Sequence, residues 1–151
     1  MSVEQRLQHI EDRLNIKELK YRYCRAVDQR EWETWVDQFA PDGTFEIEDA
    51  GEFHGQDELT RLATETLVEE YTHSLHVALN PTLDISGDTA DGEWNLLLFY
   101  VQSDGTIGTR YGHYVDTYVR TADGWKIQSE RLSFIAHESV SLSGAKGLGE
   151  Y

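Results

Sequence analysis

Residues 73–94 read HSLHVALNPTLDISGDTADGEW, and the apolar and polar side chains there alternate with a period of two. Side chains of a β-strand point to opposite faces in turn, so alternate residues from His76 to Asn80 share one face. Alternate residues from His73 to Leu79 share the other face. This second set is mostly apolar, and we expect it to face the protein interior. The first set is polar at both ends and small in the middle, which is typical of side chains arranged around an open space.

The same period continues along most of the C-terminal half. It predicts long strands at about 72–86, 89–101, 108–120 and 125–139. The segments that join them, SGDT, SDGT and TADG, contain the Gly and Asp residues of hairpin turns. Strands joined by such short turns pair as an antiparallel meander. Because the strands are unusually long, we expect the sheet to twist and curl.

Helical periodicity dominates the N-terminal half. It predicts helices over residues 4–29, 31–39 and about 57–69, with a short strand at 44–48. Pro41-Asp42-Gly43 is a strong turn signal that ends the second helix. Helices followed by an antiparallel meander predict an α+β fold. Helices laid across the open side of a curled sheet enclose a cavity, and such a cavity is a natural ligand site.

The first helix carries two candidate apolar stripes. One consists of Ile16, Leu19, Tyr23 and Ala26, and the other of Ile10, Leu14, Tyr21, Cys24 and finally Asp28.

The composition is that of one globular domain. Of 151 residues, 39% are hydrophobic and 27% are charged, and no internal boundary is visible. We expect residues 1–151 to form a single domain with a flexible tail at 140–151, for which a lid or an intersubunit arm is the alternative. No apolar run is long enough for a membrane helix, and the N-terminus lacks a signal-peptide pattern. The single cysteine, Cys24, excludes an internal disulfide and fits a reducing cytoplasm.

The chain is strongly acidic. It has 28 acidic and 13 basic residues, which give a formal net charge of −15. Such a field repels nucleic acids and anionic lipids, so we expect neither nucleic acid nor membrane as a partner. The acidity is typical of a protein kept soluble by its charge, with a salt-rich host as a second explanation.

Asp28 and His76 are the leading candidates for chemistry. Asp28 closes the segment YRYCRAVD on an apolar stripe, and an isolated buried carboxylate is costly without a partner. An imidazole whose Nδ1–H is held by a carboxylate presents its other nitrogen as a base near neutral pH. Two structural alternatives stay open. Asp28 would be a solvated helix end or the N-cap of the helix near Glu31, and His76 a core histidine bonded to a backbone carbonyl.

Tyr23 precedes Asp28 by five residues, which is about 140° around an α-helix. The two side chains can therefore flank one cavity without touching. A phenol at that place can donate a proton to a leaving group or an oxyanion, and the alternative is that Tyr23 only packs in the core.

The sequence gives no support for a metal or a nucleotide cofactor. The six histidines are scattered, and His73 and His76 point to opposite faces of a strand. There is no HExxH motif, no cysteine pair and no phosphate-binding glycine loop. GxSxG is absent and Cys24 lies in mid-helix, so we expect no covalent nucleophile either. The prediction is chemistry without metal or cofactor.

Four segments resemble the SnoaL-like branch of the NTF2-like superfamily. They are IKELKYRYCRAVDQREWETWVDQFAPDGTFEI (16–47), FHG (53–55), HVALNPTLDISGDTADGEW (76–94) and GHYVDTYVRTADGWKIQSERL (112–132). The resemblance implies an NTF2-like cone, in which three N-terminal helices pack on a strongly curved, mainly antiparallel sheet that encloses a pocket. This scaffold hosts dehydratases, isomerases, hydrolases, cyclases and non-catalytic binding domains.

The nearest pattern within that superfamily is that of lyases such as scytalone dehydratase, bile acid 7α-dehydratase and hexachlorocyclohexane dehydrochlorinase. In the latter two, an aspartate that orients a proton-abstracting histidine falls on Asp28, and the histidine falls on His76. The catalytic tyrosine of the bile acid enzyme falls on Tyr23, where the dehydrochlorinase has a lysine.

The resemblance also implies three substrate-binding residues. A pocket arginine on the last strand of the dehydrochlorinase falls on Arg131, and the second histidine of scytalone dehydratase lies close to His113. Asn80 stands where the bile acid enzyme has a different polar residue.

Taken with the resemblance, the sequence predicts a cofactor-independent lyase, a dehydratase or related elimination enzyme, that acts on a hydrophobic cyclic small molecule by His/Asp acid–base catalysis. An isomerase, cyclase or hydrolase on the same scaffold is one alternative, and a non-catalytic binding or assembly module is another. Long sheets with apolar outer faces indicate a homo-oligomer, and the related lyases favour a trimer over a dimer.

Overall fold

Residues 1–141 are described by the structure, a computed structural model, and they form helices packed on one face of a six-stranded, curved sheet. The helical elements are α1 (Val3–Gln29), α2 (Trp32–Asp37), α3 (Gly55–Arg61), a π-helix (Leu62–Leu67) and α4 (Val68–Glu70). The strands are β1 (Phe39–Ile47), β2 (Gly51–His54), β3 (His73–Ser86), β4 (Thr89–Val101), β5 (Thr106–Thr121) and β6 (Gly124–Ser141). The α+β prediction is confirmed.

The order of strands in the sheet is β2-β1-β6-β5-β4-β3, and every neighbouring pair is antiparallel except β1 and β6. The four long strands agree with the predicted ranges to within two residues, and Gly87, Gly105 and Gly124 take positive φ in the hairpin turns between them. Strand β6 runs on to Ser141, so the predicted start of the tail at 140 is too early. Residues 142–151, the rest of that tail, lie outside the described residues.

Helix α1 begins at a capping box and buries one stripe. The Ser2 hydroxyl accepts from the backbone of Gln5, whose side chain accepts from Ser2 in return. The stripe of Ile16, Leu19, Tyr23 and Ala26 is buried as predicted. The second predicted stripe is wrong over most of its length, since Ile10, Leu14 and Tyr21 are 54%, 55% and 52% exposed. The helix rests on the sheet along one side, and no other described element covers the opposite side.

The predicted second helix and first strand have different bounds. Helix α2 ends at Asp37, and Phe39 already pairs with Ile127 of β6. Pro41-Asp42-Gly43 forms an irregularity inside β1, where the register shifts between Phe39 and Thr44, and does not end a helix. Strand β2 was not predicted. It is short, and it pairs only with β1 as the outer strand of the sheet.

The prediction for β3 is half right: the face that carries His76 does line an open space, but the face that carries Leu75 does not lie in the interior. Ser74 and His76 face the helices, whereas Leu75 is 54% exposed on the outer face of the sheet. The outer face of β3 is thus apolar and the inner face polar at this end, because the inner face forms the wall of a cavity. Among the described residues, no helix combines the length and apolar character needed to cross a membrane.

Candidate active site

A cavity of about 550 Å³ lies between the inner face of the sheet and the helices. Most of its wall is apolar and aromatic, and it falls in the range of small-molecule sites. The aliphatic and aromatic lining comes from every layer of the fold and includes Val27, Trp32, Trp35, Phe45, Leu67, Leu96 and Phe134. Three clusters of polar groups lie at this wall or directly behind it.

The first cluster is the predicted pair of Asp28 and His76. The Nδ1 atom of His76 lies 2.6 Å from Oδ1 of Asp28, and the two side chains are 11% and 15% exposed. Asp28 also accepts from the Ser74 hydroxyl at 2.9 Å and from the His76 backbone N–H at 2.9 and 3.1 Å. An ionised carboxylate only accepts hydrogen bonds, so Nδ1 carries a hydrogen, and in the neutral form of the ring Nε2 has the lone pair. In residues 1–141 only Nδ1 of the His76 ring has a hydrogen-bond partner.

Local structure brings the two residues together. Asp28 lies in the last turn of α1, and Arg30, which caps the helix after Gln29, has the left-handed conformation with φ of 60°. The Arg30 guanidinium donates to the carbonyls of Val68, at 3.1 Å, and Tyr71, just before β3 begins. The end of α1 is therefore tied to the start of β3, and the inward positions of that strand meet Asp28.

Tyr23 lines the same cavity, as predicted, and its hydroxyl is hydrogen-bonded to a buried carboxylate. It donates to Oε1 of Glu130 at 2.5 Å. Burial, together with the nearby Glu130 carboxylate, raises the pKa of Tyr23 well above its usual value. Of the three residues proposed as catalytic, Tyr23 and His76 therefore line one cavity, and Asp28 is joined to it through its hydrogen bond to the His76 ring.

The second cluster lies behind Tyr23 and was not predicted. The fully buried Lys20 ammonium bonds to Glu130 and, at 2.9 Å, to Asp116, and it sits 3.6 Å from the centre of the Tyr114 ring. Burial raises the pKa of Glu130 to about 7, although Lys20 opposes the shift. Burial alone would lower the pKa of Lys20, but the two carboxylates outweigh it and the pKa is raised.

A sequence signal for this cluster existed. Lys20 falls within the buried stripe of α1, between Leu19 and Tyr23, and its partners occupy inward positions of β5 and β6. A lysine on an apolar stripe predicts buried carboxylates elsewhere in the chain, because an unpaired buried charge is very costly.

The third cluster surrounds Arg110, which was not predicted either. Its Nη1 donates to Oε1 of Glu70 at 3.1 Å, and its guanidinium lies 5.1 to 5.7 Å from the ring centres of Phe134, Tyr100 and Tyr71. The strand register pairs Leu98 with both His76 and Arg110, and Arg110 with His137. Since cross-strand partners share a face, His76, Arg110 and His137 form one inward-facing row.

The three predicted substrate-binding residues do not line the cavity. His113 and Arg131 lie on the outer face, because they alternate with the inward Tyr114 and Glu130 on their strands. His113 faces Glu93, with Nε2 3.4 Å from its carboxylate, and the Arg131 side chain is 66% exposed beside Glu46.

Asn80, the third of these, is also exposed. It has φ of 50° at a register shift in β3, a conformation that Asn tolerates better than most residues. Its exposed side chain is not part of the cavity wall.

No group of three or more His, Cys, Asp or Glu side chains within residues 1–141 is arranged to hold a metal ion. Cys24 is buried, and burial raises the pKa of its thiol to about 12, so it is not poised as a nucleophile.

Comparison with known proteins agrees with this architecture. The uncharacterized protein Rv2910c of Mycobacterium tuberculosis is 27% identical over 121 residues, which cover 78% of this chain and 82% of the relative. A solved structure from Novosphingobium aromaticivorans, provisionally assigned as an aromatic ring hydroxylase, is 26% identical with a TM-score of 0.80. The match covers 87% of this chain and 94% of that one.

Two more distant structures share the fold. A hexachlorocyclohexane dehydrochlorinase from Novosphingobium barchaimii is 18% identical with a TM-score of 0.83, and the match covers 95% of this chain and 99% of that one. A protein from Novosphingobium aromaticivorans, provisionally assigned as a scytalone dehydratase, is 18% identical with a TM-score of 0.80, covering 99% of both chains.

The sequence pattern of the SnoaL-like domain matches residues 8–131. This range includes the buried stripe of α1 and all of β1 to β5, and it ends within β6. The predicted resemblance is therefore confirmed, and the chain belongs to the SnoaL-like domain family.

Proposed function

We propose that the protein is a cofactor-independent lyase that eliminates water or a similar leaving group from a hydrophobic cyclic small molecule. The observation that carries this proposal is the 2.6 Å contact between Nδ1 of His76 and Asp28 at the wall of a largely apolar cavity. A base held by a carboxylate in a water-poor site is the arrangement that proton abstraction from carbon requires.

In the proposed reaction, Nε2 of His76 takes a proton from a carbon next to an electron-withdrawing group. The electron pair of that C–H bond becomes the new double bond, and the leaving group on the neighbouring carbon departs with the pair from its own bond. His76 then carries one positive charge, which Asp28 stabilises. The proton returns to solvent or to the departed hydroxide, and no external oxidant or reductant is needed.

We propose that Arg110 stabilises the negative charge that develops on the substrate during this step. It lies two strands from His76 in the inward-facing row, which corresponds to about 10 Å between backbones, and both side chains point inward. A ring compound spans that distance, so a substrate carbonyl can reach the guanidinium while the acidic C–H bond meets His76. Phe134, Tyr100 and Tyr71 fix the orientation of Arg110.

The test is a screen of cyclic hydroxy ketones and cyclic halides, with products identified by mass spectrometry. The proposal expects a product lighter than its substrate by one molecule of water or hydrogen halide. His76→Gln should lower the rate by about 10²–10⁴-fold, the usual contribution of a positioned base. His113→Gln is the matched control, since this histidine lies on the outer face, and it should retain the wild-type rate.

Two results would contradict the proposal, and each would indicate a different function. A product of unchanged mass that forms only with His76 present would indicate an isomerase, which uses the same base but returns the proton to the substrate. The presence of His137 in the cavity favours this second candidate, because a second imidazole can hold the proton in transit. Binding of cyclic compounds without turnover would indicate a binding module.

A further inference from the structure

The buried cluster behind Tyr23 has an unbalanced charge. Lys20, Asp116 and Glu130 have fully buried side chains, so one ammonium faces two carboxylates away from water. Asp116 also has one oxygen, Oδ1, without a hydrogen-bond partner in the described part of the chain. Burial of a net charge is costly, and one added proton makes the cluster neutral.

Glu130 is the carboxylate suited to take that proton. Asp116 is held as an acceptor by Lys20 at 2.9 Å and by the Tyr118 hydroxyl at 2.5 Å, and Trp94 in turn donates to Tyr118 at 2.9 Å. Glu130 accepts a hydrogen bond from Lys20 on one carboxylate oxygen and from the Tyr23 hydroxyl on the other. Burial raises the pKa of Glu130 to about 7.

Every element packed against Glu130 contributes to its surroundings. The titratable groups that face it are Lys20, Tyr23 and Cys24 from α1 and Tyr114, Asp116 and Tyr118 from β5. Strand β1 places the apolar Phe45 beside it in the sheet. Lys20 is the only cation in this set, and the tyrosines and the cysteine are neutral because burial raises the pKa of each.

We propose that Glu130 is a positioning residue that sets the direction of the Tyr23 hydroxyl hydrogen. When Glu130 is ionised it accepts that hydrogen, and Tyr23 offers the cavity only a lone pair. When Glu130 is protonated it donates its own hydrogen to the Tyr23 oxygen, and the Tyr23 hydroxyl hydrogen turns toward the cavity. The exchange takes one proton from solvent, and it neither breaks nor forms a bond between heavy atoms.

This inference rests on the proposed function only in placing a substrate oxygen beside Tyr23. Protonated Glu130 makes Tyr23 a donor, which suits a ketone or a departing hydroxyl. Ionised Glu130 makes Tyr23 an acceptor, which suits a ligand hydroxyl. The site is therefore expected to select ligands by hydrogen-bonding type in a pH-dependent manner.

The experiment measures binding of α-tetralone, a bicyclic ketone that can only accept hydrogen bonds, at about pH 6 and about pH 8. In the wild type the affinity should be about fivefold higher at the lower pH, the typical effect of one hydrogen bond. Tyr23→Phe should bind at the weaker level at both pH values. Glu130→Gln should bind at the tighter level at both, because the Gln amide donates to Tyr23 permanently while its oxygen accepts from Lys20.

Equal affinity of the wild type for α-tetralone at the two pH values would overturn the inference. A Glu130→Gln variant whose affinity follows the wild-type pH dependence, or stays at the weaker level at both pH values, would also overturn it. The carboxyl resonance of Glu130 in a ¹³C NMR titration gives a second measurement. Its expected midpoint is near 7, and a Glu130 that keeps one protonation state from about pH 5 to about pH 9 would also overturn the inference. Neither measurement uses turnover, so a failed lyase assay and a failed proton exchange are distinguishable.

Discussion

A single carboxylate, that of Asp28, accepts from three donors: the Ser74 hydroxyl, the His76 backbone N–H and the His76 ring. The backbone contact fixes Asp28 to the strand itself, so the ring of His76 and its acceptor move together. This explains how a histidine near the start of a long strand keeps one orientation at the wall of an open cavity.

Asp28→Asn should lower turnover by about 10²–10⁴-fold, because the amide cannot stabilise the charged imidazole and its NH₂ group opposes Nδ1–H. Initial rates on a substrate identified by the mass screen provide the measurement. Ser74→Ala is the milder comparison, since it removes one bond to Asp28 and keeps the ring contact. A wild-type rate in Asp28→Asn would contradict the assigned role of the pair.

Arg110→Met should lower kcat by about 10²–10³-fold if the guanidinium meets developing negative charge, the usual cost of losing one such group. Arg110→Lys should restore part of the rate, since it keeps the charge without the planar fork. The kcat and KM values of both variants should be measured together. A rise in KM alone would show that Arg110 binds substrate and transition state equally.

At the scale of elements, α1 is fixed to the sheet at two places. In the first half of the helix, Arg120 of β5 donates to both oxygens of Asp12, at 2.7 and 2.8 Å, and Trp125 of β6 donates at 3.1 Å. At its end, Asp28 and Arg30 hold the start of β3. These polar contacts determine where the helix lies along the sheet, and therefore where Tyr23 and Asp28 enter the cavity.

The Asp12 contacts predict loss of stability in acid. The hydrogen bond from Arg120 lowers the pKa of Asp12 from 3.8 to about 2. The stabilisation from a lowered pKa is fully present above the unfolded value and is lost as the pH falls through the folded value. Urea unfolding should show this loss between about pH 4 and pH 2.

Asp12→Asn is expected to lower the free energy of unfolding near neutral pH by about 2 kcal/mol, as hydrogen bonds to a charged group are weakened. Glu11→Gln, one residue away on the exposed side of α1, is its control and should be nearly neutral. An equal acid dependence in wild type and Asp12→Asn would contradict the assignment.

The long strands and α1 were predictable because alternation, turn residues and helical period all agree there. The short strand at 44–48 and the helix at about 57–69 were predicted as well, although the structure extends the strand and divides the helix into α3, a π-helix and α4. The pairing of distant segments was not predictable. Strand β1 pairs with β6 some 85 residues later in the chain, and no local pattern near Phe39 indicates that pairing. The Asp28–His76 pair was predictable from two short segments. Arg110 was not, because β5 carries apolar residues on both faces and its inward face cannot be chosen from alternation alone.

At the scale of the whole molecule, the outer face of the sheet is apolar. Five large side chains of β3, β4 and β5 remain 37–54% exposed there: Leu75, Leu97, Phe99, Tyr111 and Val115. Contiguous exposed apolar surface is typical of an interaction site. We propose that copies of this chain associate through this face, with a trimer favoured by the family resemblance and a dimer as the alternative.

Phe99→Glu should therefore convert an oligomer to a monomer, as measured by light scattering after size-exclusion chromatography. Ile10→Gln, on the exposed stripe of α1, is the control that distinguishes the two apolar surfaces. Added salt should strengthen the wild-type assembly, since it screens repulsion between copies with a net charge of −15. A wild-type monomer, or dissociation by Ile10→Gln alone, would contradict the proposal.

The π-helix at Leu62–Leu67 has a consequence for how relatives of this protein can diverge. Its wide turn holds one more residue than an α-helical turn, so deletion of a single residue there can restore α-helical geometry. Each residue in an α-helix adds about 100° of rotation, and the side chains of Thr66 and Leu67, which line the cavity, would turn by that amount. Loss of one codon in this segment is therefore expected to remodel the cavity wall without any substitution at Asp28 or His76.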